Sequence, residues 1–187
     1  MNNKRIPTPR SIGWRALAVA LALSAAAAPA RAERFLGTLV NLEQGENAPL
    51  VIGIDRYSTD EEVRQLKAIL AEKGADALSD ALWNLERGYI RIGGGLGYPI
   101  AVARSRPADG GGRVIRLMLD RPISFREIWR SSRSLDYPFT YIELALGADG
   151  TGEGKMYAAA SVEIEDGAVE IENYSALPIK LLNVRTE

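Results

Sequence analysis

Neither histidine nor cysteine occurs in the 187 residues, and these two absences remove most familiar catalytic chemistry. Without them there is no Ser-His-Asp triad, no Cys-His nucleophile, no thiol redox chemistry and no Cys or His zinc site. The usual haem and facial-triad iron sites go as well. A Ser-Lys dyad of S-x-x-K spacing is also missing, because Lys67, Lys73, Lys155 and Lys180 follow Arg64, Leu70, Gly152 and Leu177 at three residues' distance. What remains open is carboxylate chemistry, tyrosine chemistry and hard-cation binding. Aromatics are scarce: tryptophan occurs three times, once in the first fifteen residues. That argues against a broad sugar-stacking platform.

A membrane-spanning run is lacking too. The apolar stretch Ala16–Ala28 is stopped by Pro29 and Arg31, short of the roughly 20 residues a spanning helix needs. Lys4, Arg5, Arg10 and Arg15 precede it, and Ala30-Arg31-Ala32 places small residues where a signal peptidase reads them. The expectation is a Sec-type signal peptide over residues 1–32, cleaved after Ala32. A single α+β domain then runs from Glu33 to Glu187 in the periplasm or outside the cell, with no membrane anchor. Losing Lys4, Arg5, Arg10, Arg15 and Arg31 leaves 18 basic against 24 acidic residues, so the mature chain carries a formal charge of about −6. Nonspecific nucleic-acid binding is not expected of such a chain. About 155 residues can bury a core without metal or disulfide staples, and no cofactor or metal is expected.

Four glycines crowd "IRIGGGLGYP", Ile90–Pro99. The run lacks the third glycine of a dinucleotide fingerprint, and β-suited residues follow it in place of a helix start. It predicts a glycine hairpin turn rather than a phosphate cradle. Earlier, Thr59 and Glu62 have capping-box spacing, and Val63, Leu66 and Leu70 repeat on one helical face up to Gly74. Leu78, Leu82 and Leu85 then repeat up to Gly88, so a helical hairpin is expected. From Tyr89 the apolar period is two, in runs separated by Gly, Asp and Pro. The expected fold is a curved antiparallel sheet, a partial barrel, of about seven to nine strands, with the helical hairpin packed on it.

Two charged constellations have readable spacing. If Asp166-Gly167 forms a two-residue type I′ turn, Glu163 opposes Glu170, and Glu165 and Glu172 share their face, opposite the face of Val162, Ile164, Val169 and Ile171. In "SFREIWRSSRS", Arg126, Arg130 and Arg133 fall on one face of a short helix. This stripe and the glutamate ladder can be ordinary solvated surface, screened by water and salt, or mutual partners, or the stripe can bind an external anion. Asp149 and Glu153, in the glycine-rich loop Gly147–Lys155, are hard-oxygen donors without the alternating acids of a calcium loop. Asn173-Tyr174-Ser175 fits the glycosylation pattern, which a bacterial-looking exported chain does not use.

The segments "RIGGGLGYPIAVARSRP", "DYPF" and "VEIENYSALPIKLLNVR" resemble those of a group of exported bacterial proteins of unknown function, over about Glu61 to Arg185. The resemblance implies an envelope or secreted location and carries no activity, cofactor or catalytic residue. The expectation is therefore an exported, non-enzymatic binding or interaction protein, taking a small ligand or an envelope protein as partner. A carboxylate-dependent hydrolase of envelope saccharides, or a structural envelope component, are the alternatives.

Overall fold

The computed structural model describes residues 32–43, 45–123, 136–175 and 177–187. The expected signal segment up to Arg31, and with it Arg126, Arg130 and Arg133, lie outside the described residues.

The chain order is β1 (Glu33–Asn41), β2 (Glu46–Ile54), α1 (Asp60–Leu82), β3 (Gly88–Ile92), β4 (Tyr98–Ile100), β5 (Val102–Pro107), β6 (Arg113–Leu119), β7 (Phe139–Leu146), β8 (Thr151–Glu165), β9 (Ala168–Asn173) and β10 (Ile179–Thr186). All pairings are antiparallel, in the order β4-β3-β2-β1-β10-β8-β7-β6-β5, with β9 attached to β8 alone. The path begins and ends in one stretch of chain, because β4 and β5 are separated only by Ala101. Tyr98–Ile100 pairs with β3, whereas Val102–Pro107 pairs with β6. Between them Ala101 donates its N–H to Met118 O at 2.9 Å. The nine-strand sheet is thereby nearly closed into a barrel. The tenth strand beyond the expected range arises because the single expected run "YPIAVARS" divides its partners between two neighbours.

Alternation sorts the side chains between the two faces of the wall. Ile115, Leu117 and Leu119 of β6 point inward with Ile52, Ile90 and Ile142, and all are buried. Three pairing irregularities, between Leu36 and Thr38, Leu181 and Val184, and Phe139 and Tyr141, add the local twist that curls a sheet onto itself. At one end of the barrel the inward positions become polar. Arg113 donates to Glu33 from both terminal nitrogens, at 3.0 and 2.6 Å, and the Tyr57 hydroxyl donates to the same carboxylate at 3.3 Å. Burial, and then the Glu33 charge, push the Tyr57 phenol up to about 12.

Outside the barrel lies α1. Its capping box is formed as the spacing predicts: Glu62 N–H donates to Thr59 Oγ1 at 3.2 Å and Thr59 N–H to Glu62 Oε2 at 2.8 Å. The expected helical hairpin does not form as two helices with their own connecting turn. Gly74 leaves the helical region at φ 82°, but the chain is helical again at the next residue, so α1 is one element kinked at a glycine. A single left-handed residue interrupts the hydrogen-bond ladder without providing a reversing loop. Leu70, Leu78 and Leu82 bury themselves against Phe139 and Val162 on the outer side of the wall. Among the described residues no helix is long and apolar enough to cross a membrane.

Candidate functional site

The apolar stripe of α1 is only partly covered. Leu70 is buried, but Leu66 and Val63, one and two turns nearer the N-terminus, are half-exposed. They form one wall of a groove of about 410 Å³, within the size range of small-molecule sites. Its floor is the outward face of the barrel, where Val102 of β5 lies opposite Met118 of β6, and Met118 opposite Tyr141 of β7. The far wall is the β8–β9 hairpin, which runs past the end of β7 and presents Val162, Val169 and Ile171.

Among the described residues every charged one on the lining is basic: Lys67, Arg104, Arg106 and Arg116. Arg104 donates to Ser58 O at 2.6 Å and pairs with Asp60 at the helix start. Arg116 Nε donates to Glu143 Oε2 at 2.8 Å, and Lys155 Nζ lies 3.3 Å from the other oxygen of that carboxylate. Burial opposes the charge on Glu143, but hydrogen bonds from Arg116 and Tyr141 and the nearby Lys155 hold its carboxyl below the usual range. Burial first, then the Glu143 charge, push the Tyr141 phenol upward, so Tyr141 stays a neutral donor. Lys67 and Arg106 are exposed and make no ion pair with a described residue.

The glutamate ladder has the register the Asp-Gly turn predicts. Asp166 and Gly167 take φ 50° and 77°, and Glu165 pairs with Ala168, Ile164 with Val169, Glu163 with Glu170 and Val162 with Ile171. Glu163, Glu165, Glu170 and Glu172 are all exposed, on the opposite face of the hairpin from the groove. Glu172 accepts a hydrogen bond from the Tyr137 hydroxyl at 2.9 Å. Whether the ladder meets the arginine stripe concerns residues beyond those described. Glu163 and Glu170 directly opposed repel each other, so Glu170→Lys should raise the melting temperature by about 1–2 °C at low salt. The gain should fade near 0.5 M salt, where the Debye length is only about 4 Å. A loss of stability in a thermal melt would count against the opposed-charge account.

Asp149 is engaged within its own turn, where its carboxylate accepts from Thr151 N at 3.0 Å and Thr151 Oγ1 at 2.8 Å. Those bonds hold its pKa down. Glu153 lies opposite Ala145 in the β7–β8 ladder and is exposed. Among the described residues no three acidic side chains converge as a metal site would require. The glycine run forms the β3–β4 turn, with Gly93 and Gly94 at φ 63° and 78°.

Sequence reasoning therefore reached the hairpin but chose its charged face, whereas the groove uses its apolar one. The available signal was the pair Arg104 and Arg106 alternating in a strand. No family model, curated protein or solved structure matches the chain.

Proposed function

We propose that this is an exported, non-enzymatic binding protein that takes an amphipathic anion in the groove between α1, the β5–β7 wall and the β8–β9 hairpin. One observation carries the reading: in a chain with an excess of acidic residues, an apolar groove is lined, among the described residues, by four basic side chains and no acidic one. An alkyl chain gains by covering Val102, Met118 and Ile171, at about 25 cal/mol per Å² of apolar surface removed from water. A carboxylate or phosphate head suits Arg106 and Lys67, which have unspent charge. The titration pattern supports binding over acid-base catalysis. Among the described residues Glu62 and Glu143 are displaced downward and Tyr57 and Tyr141 upward, each away from the near-neutral value that a proton-transfer residue needs. Export rests on the N-terminal sequence pattern.

Calorimetric titration with dodecanoate tests the reading. Dodecanoate should bind, hexanoate and dodecanol each at least about tenfold more weakly, since each lacks one of the two interactions. Arg106→Glu should weaken dodecanoate about tenfold with a melting temperature within about 2 °C of the parent, because an unpaired exposed cation contributes little to the fold. Equal affinity for dodecanol, or no effect of Arg106→Glu, would reject an anionic head at this rim.

A further inference from the structure

The rim of the groove continues into a row of charges that crosses five strands. Arg104 of β5 lies opposite Arg116 of β6, Arg116 opposite Glu143 of β7, Glu143 opposite Lys155 of β8, and Lys155 opposite Lys180 of β10. All five are outward positions of the barrel wall, since the residues beside them, Ala103, Leu117, Ile142, Met156 and Leu181, are core. With strands about 4.8 Å apart, the row extends over roughly 19 Å of the barrel's circumference. It holds four cations to one carboxylate, and two of its contacts, Arg104 with Arg116 and Lys155 with Lys180, set like charges directly opposite. Such pairs weaken a sheet. Glu143 serves both Arg116 and Lys155 in the middle of the row, and Asp60 pairs with Arg104 at one end, while Lys180 at the other end is exposed and makes no ion pair with a described residue.

Alongside runs a second row, amphipathic in character. Met118 faces Tyr141, and Tyr141 faces Tyr157. The two rings lie 5.8 Å apart, and Lys155 Nζ stands 5.8 Å from the Tyr157 centroid. Tyr141 is buried, but the half-exposed Tyr157 ring beside the Lys155 ammonium suits a bilayer interface, where an aromatic ring meets the acyl boundary and a charged end meets phosphates.

From this juxtaposition we infer that the wall formed by β5, β6, β7, β8 and β10 docks on a lipid surface carrying anionic headgroups. The Arg104–Lys180 row contacts the phosphates, and the groove opens beside the membrane. The inference goes beyond ligand binding in the groove and does not depend on it. Arg104, Arg116, Met118 and Tyr141 belong to both surfaces, but Lys155 and Lys180 lie outside the groove lining, so the two can fail separately.

The test is co-sedimentation of the chain from Glu33 onward, which contains every described element, with vesicles at low salt. One set is pure phosphatidylcholine and the other contains phosphatidylglycerol. Attachment should require the anionic lipid and be lost near 0.5 M salt. Each lysine near such a surface strengthens attachment about fivefold, so Lys180→Gln should weaken partitioning about fivefold, and Lys155→Gln with Lys180→Gln about 25-fold. The double variant should titrate with dodecanoate like the parent. Attachment equal on neutral vesicles, attachment unchanged in the double variant, or retention on an anionic polysaccharide with no vesicle binding would each overturn the docking surface. Loss of dodecanoate binding in the parent, with vesicle attachment intact, would instead reject the groove reading alone.

Discussion

Gly152→Ala should lower the melting temperature by about 10 °C, while Gly97→Ala should change it by no more than about 2 °C. Gly152 sits where three strands meet, paired with Leu146 of β7 and with Val184 of β10. A Cβ at this position would stand 1.9 Å from the Ala145 carbonyl oxygen and 2.9 Å from its carbon. That obstacle is backbone held in a ladder, so it cannot swing aside as a side-chain tip would. The strand must shift, and its two neighbours with it, at a cost of about 3 kcal/mol or more, which corresponds to roughly 6–12 °C in a domain of this size. Gly97 is the control: its Cβ would meet only side-chain atoms of Tyr89 and Arg91, at 3.6 Å and beyond. Thermal melts of the two variants settle the matter. A Gly152→Ala protein that melts with the parent would mean that the β7–β8–β10 junction is looser than its pairing indicates.

The second large effect concerns the helix start, where Glu62 has two tasks. As the third helical residue it completes the capping box, and as an anion it faces Arg56 at 3.1 Å and Arg87 at 2.9 Å. Arg87 is buried, its side chain 6 % exposed, and its Nε has no hydrogen-bond partner among the described residues. A buried guanidinium depends on its carboxylate, and removing one partner of such a pair leaves an uncompensated charge. Glu62→Gln keeps a side chain able to cap but withdraws the charge, so it should cost about 2–4 kcal/mol at neutral pH. The pH dependence follows from the same contacts. Hydrogen bonds from Arg56 and then from the Thr59 backbone lower the Glu62 pKa to about 2, beneath its unfolded value of about 4.3. A carboxylate depressed by folding stabilises fully above its unfolded pKa, and that stabilisation is lost as the pH falls through the folded one. The parent should therefore lose stability relative to Glu62→Gln between about pH 4.3 and pH 2, and the two melting curves should converge at the acid end. Curves that run parallel over that interval would show that the charge on Glu62 contributes nothing to the fold.

Several features of this molecule are local in origin and could be read before any coordinates. The Thr59–Glu62 box, the break at Gly74, the β3–β4 glycine turn and the whole register of β8 against β9 each depend on contacts between residues only a few positions apart. In such segments φ, ψ and one or two hydrogen bonds decide the outcome. The Asp166-Gly167 turn is the clearest case: both residues can adopt positive φ, and that alone places Glu163 opposite Glu170.

Barrel closure had no comparable local signal. The run "YPIAVARS" reads as one strand in any window, and nothing in its alternation says that Tyr98–Ile100 pairs with β3 while Val102–Pro107 pairs with β6, since each edge is chosen by strands elsewhere in the chain. The groove was hidden for the same reason. Helical periodicity marks Val63, Leu66 and Leu70 as one apolar stripe, yet how much of that stripe is covered depends on where the wall and the β8–β9 hairpin end, and only Leu70 is buried. The row from Arg104 to Lys180 likewise gathers five residues spread over 77 positions of sequence, aligned by four strand pairings. By itself the sequence determined the missing catalytic chemistry, the alternating strands and the turns, because residue type and short-range geometry set these. Only the tertiary structure decided which cations meet, which apolar face stays open and which wall carries them both, because long-range pairing, with its chain-closure entropy to overcome, selects one register among many that local pattern leaves equivalent.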